Sequence, residues 1–112
     1  MTSSVKEMLA EASAVVPRLQ PAALQDLLRA GNVLLLDVRD APELAGGKIK
    51  GAVHVSRGML EFRADPQSPY YNPVFKKEMP VVLYCASGGR AALAGKVLRD
   101  FGYQTVYTVG AF

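Results

Sequence analysis

The sequence predicts an α/β fold in which a mainly parallel central sheet is flanked by helices. Three observations carry that expectation. Two runs, Val33-Leu34-Leu35-Leu36 and Val81-Val82-Leu83-Tyr84, are apolar without interruption, as strands buried on both faces must be. Around them lie stretches whose apolar residues recur at helical spacing, and strands alternating with helices point to parallel pairing. The second run ends at Cys85, the one cysteine of the chain, and small residues then lead straight into a helical pattern. A strand that turns at once into a helix places its last residue at the C-terminal edge of the sheet. Open α/β sheets bind their ligands there.

The bulk numbers suit this architecture. A chain of 112 residues, 50% apolar and 21% charged, has the length and composition of one globular domain spanning 1–112. No repeat or low-complexity segment marks a boundary within it. A single cysteine excludes an intrachain disulfide, and nothing requires an oxidising compartment, so the cytoplasm is the expected location. Lys6, Glu7 and Glu11 stand where a secretory signal would be apolar. No apolar run approaches the length of a membrane span. The net charge is only +3, and Lys76-Lys77 is the sole adjacent basic pair, so neither nucleic acid nor membrane is an expected partner. A mildly basic surface still draws small anions toward a cationic pocket.

Taken in order, Ser4 to about Val16 reads as a helix with Val5, Met8, Leu9, Ala12 and Val16 on one face. Ser3 or Ser4 caps it, with Glu7 placed as in a capping box, and Pro17 ends it. This N-terminal helical extension, 1–17, is expected on the outside of the sheet or against a partner. Pro21 opens a second helix, Ala22 to Arg29, with Leu24, Leu27 and Leu28 facing inward and Gly31 as its left-handed cap. After the strand at Val33–Leu36 come Asp37-Val38-Arg39-Asp40, on the same sheet edge as Cys85 if the strands are parallel. Glu43 to Val55 reads as a short helix, a glycine turn and another strand. Ser56 to Arg63 suggests a helical turn, followed by the irregular loop Asp65-Pro66-Gln67-Ser68-Pro69-Tyr70-Tyr71-Asn72-Pro73. A loop this long is often a lid, and Tyr70, Tyr71, Arg57 and Arg63 either wall the pocket or pack on the surface. Leu93, Ala94, Val97, Leu98 and Phe101 form the apolar face of a helix that Gly102 terminates, and Thr105 to Val109 is a last strand.

The chemistry concentrates at Cys85-Ala86-Ser87-Gly88-Gly89-Arg90. Small residues allow successive N–H groups to turn inward into an anion-binding concavity, and the helix N-terminus adds partial positive charge. Both favour a sulfur anion. Cysteine is also a common inert core residue, but a cysteine opening a Gly-Gly loop capped by arginine fits a reactive thiol better. Arg90 opposes the dipole at a helix start, so its presence argues for attraction to an anionic substrate and to the sulfur. Asp37 and Arg39 fit a local ion pair that pins the loops better than a substrate contact. His54, the sole histidine, is read as a strand residue with a local hydrogen bond rather than as a base for Cys85.

The pattern Cys-x4-Arg resembles the active-site loop of the rhodanese (sulfurtransferase) family. Asp37-Val38-Arg39 and Ile49-Lys50-Gly51-Ala52-Val53-His54-Val55 resemble two further motifs of that family, which commonly has a histidine where Lys48 stands. The resemblance covers about Pro21 to Gly110 and implies a three-layer fold whose mainly parallel central sheet has about five strands between flanking helices. It implies a six-residue loop in which Cys85 carries a persulfide sulfur cradled by Ala86, Ser87, Gly88, Gly89 and Arg90, with no metal and no organic cofactor. It also implies a small anionic sulfur donor, such as thiosulfate or a persulfide, and a thiol, cyanide or protein as acceptor. A persulfide relay serving a partner protein, with little free turnover, is the alternative. Phosphatase or arsenate reductase chemistry is disfavoured, because cysteine phosphatases use a loop one residue longer. Rhodanese domains usually continue through a Gly-Gly turn and a tryptophan into a final helix. Gly110-Ala111-Phe112 only begins that segment, so the C-terminal helix is expected to be absent or truncated.

Overall fold

Local chemistry at the helix ends frames the fold, seen here in a computed structural model that describes residues 3–111. The Ser4 hydroxyl accepts a hydrogen bond from the Glu7 N–H at 3.1 Å and opens α1 (Val5–Val15). Pro17 follows the cap residue Val16, and the residue before a proline is pushed out of the helical region. Helix α2 (Pro21–Ala30) carries proline in its first turn and closes on Gly31 at φ 84°, a conformation that costs glycine nothing.

The sheet consists of β1 (Leu34–Asp37), β2 (Val53–His54), β3 (Val81–Cys85) and β4 (Val106–Ala111). All pairings are parallel, in the order β2-β1-β3-β4. Four strands therefore stand among the described residues where about five were expected. Residues 17–19, which lie beside β4, explain part of the difference. The Leu19 N–H donates to Thr108 O at 2.7 Å and the Thr108 N–H to Pro17 O at 3.0 Å, so Arg18 makes one parallel bridge with Thr108. Pro17 has no N–H to give, which discourages a longer ladder there.

Side chains alternate across the strands. On one face Leu35, Val82 and Tyr84 meet Leu24 of α2 and Ala52. On the other, Leu34, Leu36 and Leu83 meet α3 (Leu60–Ala64) and α4 (Gly89–Asp100) through Leu60, Ala94 and Leu98. Fully burying a side chain such as Leu36 or Leu98 stabilises the fold by about 2 kcal/mol. Two helices differ from their sequence reading. Helix α1 packs chiefly on α4 rather than on the sheet; Ala12 and Val16 are buried while Val5 and Met8 remain exposed. In α2, Leu28 also faces out, because α2 offers the sheet a stripe only wide enough for Leu24 and Leu27. Short 3-10 turns at Ala41–Gly46 and Arg57–Met59 complete the β1–β2 and β2–α3 connections.

From β1 the chain crosses to β2 on one side and then returns to β3 on the other. The crevice at the C-terminal ends of β1 and β3 is thus the topological switch point of the sheet. Both charged and small-residue loops, 38–40 and 86–88, leave the sheet at that edge.

Candidate functional site

Cys85 is the last residue of β3 and is fully buried on the α4 side of the sheet. The loop beyond it doubles back over the sulfur. Gly88 sits at φ 92°, a backbone state that an L side chain would strain, and its N–H donates to Cys85 Sγ at 3.0 Å. Helix α4 begins at Gly89, one residue before the arginine expected to open it. Ala86 and Ser87 face solvent while the sulfur beneath them does not.

Arg90, expected to attract an anionic substrate and the sulfur, is bound to a carboxylate in the structure. Its guanidinium grips the Glu43 carboxylate with both nitrogens, NH1 to Oε1 at 2.5 Å and NH2 to Oε2 at 2.9 Å, and Asp40 lies 4.0 Å away. Hydrogen bonds from Arg90, and then from the Asp40 N–H, hold the Glu43 carboxyl down at about 2. The same Glu43 bond, with a smaller pull from Cys85, raises the guanidinium further above its ordinary value. Each side chain is about a third exposed (32%), so water still screens the pair. Glu43 is held ready for it at the start of the 3-10 turn, where its Oε1 also accepts from the Asp40 N–H at 2.9 Å. The Cys85 loop is thereby closed from outside by a residue 47 positions away in sequence.

Asp37 and Arg39 form a second pair, fully within the protein. Arg39 donates to the Asp37 carboxylate through Nε at 3.0 Å and NH2 at 2.9 Å, and its own N–H adds a third bond at 3.0 Å. Burial pushes the Asp37 carboxyl up, but the Arg39 bonds and one from the Tyr84 hydroxyl more than offset this and leave it low. The guanidinium lies 5.7 Å from the centroid of the Tyr84 ring and donates to Gly47 O at 2.7 Å. Arg39 therefore ties the end of β1 to the turn that carries Glu43. His54 Nε2 donates to Arg39 O at 2.7 Å, which fixes the proton on Nε2 because a carbonyl can only accept. That bond directs the histidine to the β1 loop. Lys48 instead donates to Ala52 O at 3.1 Å.

A cleft of about 450 Å³ opens beside the loop. Its walls are Leu9 and Ser13 of α1, Pro17 and Arg18, Ser87 to Gly89, Ala92 and Thr108. None of Tyr70, Tyr71, Arg57 and Arg63 lines it. Tyr70 stacks edge-on against Phe62, the Tyr71 hydroxyl donates to Phe75 O, and Arg57 pairs with Glu61 at 2.9 Å. The 65–73 loop is occupied with its own packing, and the pocket wall comes from the N-terminal helix.

Residues 20–110 match the model of the Rhodanese-like domain family. The chain belongs to that family. A human thiosulfate:glutathione sulfurtransferase is 29% identical to this rhodanese-like chain over 93 residues, 78% of this chain and 81% of that protein. A tRNA uridine(34) hydroxylase from Legionella pneumophila is 28% identical; the match takes in 80% of this chain but only 34% of that protein, about a third of its length. A solved structure from Rhodopseudomonas palustris, described as a protein of unknown function and possible tyrosine phosphatase, superposes with a TM-score of 0.90 at 40% identity. It covers all of this chain (100%) and 88% of its own.

Within this rhodanese-like fold, sequence reading missed two contributors. Glu43 was read only as part of a short helix, although the box formed by Asp40 and Glu43 is a recognisable turn signature. Gly95 was passed over on α4, yet a Cβ there would meet Val16 at 2.9 Å. It lets α1 sit close enough to wall the cleft, and no local signal in the sequence could have shown that.

Proposed function

We propose that the protein is a sulfurtransferase that carries sulfane sulfur as a persulfide on Cys85. The observation that carries this reading is the six-residue loop folded over the sulfur, with the Gly88 N–H on Sγ and Arg90 fastened to Glu43. Sulfurtransferase relatives within the family support the same chemistry. The Cys85 thiolate attacks the outer sulfur of a donor such as thiosulfate; the S–S bond of the donor breaks and sulfite leaves with its electron pair. The backbone N–H groups of Ala86 to Arg90 then hold the persulfide, with the Ser87 hydroxyl as a further donor. An acceptor thiolate or cyanide takes the outer sulfur and leaves the electron pair on Cys85. Two half-reactions through a covalent intermediate give ping-pong kinetics.

A relative described as a possible tyrosine phosphatase makes phosphate chemistry the reading to weigh against this one. A phosphatase loop would need its arginine to grip phosphate oxygens in a planar, two-pronged way. Here both prongs are already on Glu43, and only four residues separate Cys85 from Arg90. Sulfur, smaller and singly charged as a persulfide, fits the closed loop better. Delivery of the persulfide to a protein partner uses the same intermediate and differs only in which acceptor is fast.

Mass spectrometry after exposure to thiosulfate or polysulfide tests the proposal. One sulfur atom should be gained, removable by cyanide or thiol, and Cys85→Ser should gain none. An unchanged wild-type mass with several sulfane donors, or Cys85-dependent hydrolysis of aryl phosphates, would overturn it.

A further inference from the structure

Cys85 is fully buried, and the cleft beside it is lined by Ser87, Gly88 and Gly89 of the loop but not by Cys85 itself. A donor cannot meet Sγ while the loop lies over it, so chemistry at this thiol requires the loop to open. The Arg90–Glu43 pair restrains the loop from one side. A second restraint comes from α1. An ideal Cβ built on Gly89 would lie 3.8 Å from Cδ2 of Leu9, an ordinary contact distance. Leu9 is therefore placed directly beside the residue that joins the loop to α4.

The helix that carries Leu9 is attached differently from the rest of the fold. Residues 4–16 make no hydrogen bond or ion pair to the remainder of the described residues. What holds them is apolar: Ala12 and Val16 are buried and Leu9 is half-buried. Val16 sits so close to α4 that a Cβ on Gly95 would meet it at 2.9 Å. Just beyond, backbone bonds fix the chain, from the Thr108 N–H to Pro17 O at 3.0 Å and from the Leu19 N–H to Thr108 O at 2.7 Å. Helix α1 is thus anchored at its C-terminal end and held along its length by a few apolar contacts. Such an element opens locally at less cost than a sheet does. It also lies outside the family match, which begins at residue 20, so its contact with the loop is not part of the family domain.

We propose that α1 is a latch on the Cys85 loop: seated on α4, it keeps the loop folded over the sulfur through Leu9, and lifting about its Pro17–Leu19 anchor frees the loop to expose Cys85. The inference rests on the reading of Cys85 as the reactive thiol and adds to it a control of access. Leu9 is a positioning residue that acts through Gly89 and takes no part in the chemistry.

The sole cysteine makes access directly readable, because iodoacetamide labelling of the folded full chain, followed by mass, reports Cys85 alone. Leu9→Ala removes the contact with Gly89 and should speed labelling about fivefold, the worth of one partly buried side chain. Gly95→Ala pushes Val16, and α1 with it, off its seat; labelling should speed up although the loop is untouched. Gly89→Ala, at a position whose φ is not left-handed, gives Leu9 a methyl group to rest on and should slow labelling. Val5→Ala, exposed on the same helix, should change nothing. General loosening of the fold would also speed labelling, but in a way that climbs with urea. The latch predicts a gain nearly constant in urea below the unfolding transition, with faster hydrogen exchange at the Gly88 N–H, the donor to Sγ. Equal labelling of wild type and Leu9→Ala, or a gain that climbs steeply with urea, would overturn the proposal. Should Gly95→Ala not fold, Leu9→Ala and Gly89→Ala decide it. Sulfur loading measured alongside keeps the two readings apart. Labelling that follows Leu9, with no sulfur gained by any variant, sinks the sulfurtransferase reading and leaves the latch; sulfur gained by all variants alike, with equal labelling, does the reverse.

Discussion

Two arginine–carboxylate pairs stand at the same edge of the sheet, and they differ in almost every physical respect. Arg39 and Asp37 are two residues apart, buried with side-chain exposures of 6% and 0%, and bonded three ways before the neighbouring turn is counted. Arg90 and Glu43 are 47 residues apart and each about a third exposed (32%). In a dry setting, removing one partner strands a charge that water cannot reach, so such a pair fastens the fold. In a wet setting, solvent takes over the stranded partner and little stability is at stake. The exposed pair is therefore free to serve shape: it closes the Cys85 loop and occupies both terminal nitrogens of Arg90. The lesson is that charge at a sheet edge says little until its burial and its partner are known.

The largest effect separating the two pairs should come from Asp37→Asn or Arg39→Met. Each leaves a buried charge or an emptied anchor, and the melting temperature should fall by roughly 10 °C or more, with activity lost alongside the fold. A drop of a degree or two in calorimetry would mean that the pair is not the fastening described here. Next in size, Arg90→Ala should slow sulfur transfer about tenfold, through loss of loop shape, while the melting temperature moves by only a few degrees. Equal damage to stability and rate would erase the distinction between the pairs.

Acid sharpens the comparison further. The Glu43 carboxyl is depressed from 4.5 to about 2, so its contribution is complete above pH 4.5 and disappears as pH falls toward 2. The stability difference between wild type and Glu43→Gln, measured by urea unfolding, should be flat from pH 5 to 8 and shrink below about 4.5. A difference that changed between pH 6 and 8 would point to another group. The smallest effect belongs to His54→Phe, which removes the bond to Arg39 O. It should cost about 1 kcal/mol in urea unfolding and leave sulfur transfer unaltered. A large loss of rate with unchanged stability would return His54 to candidacy as a base.

What the sequence by itself determined was local. Continuous apolar runs identified β1 and β3 because a strand buried on both faces has no polar side to show. Cys85 and its small-residue loop were legible because strand, turn and helix are contiguous there, and the Asp37–Arg39 pair was legible because its members are two residues apart. Tertiary structure alone decided the rest. Glu43 reaches Arg90 only after β1 and β3 lie side by side, since the two are 47 residues apart. Helix α1 found α4 rather than the sheet, and so gave the cleft its wall, because Gly95 leaves room for Val16. Hydrophobic periodicity states that a helix has a face to bury. It carries no information about which neighbour will be there to receive it, because burial is non-directional and the choice depends on fit between surfaces distant in the chain.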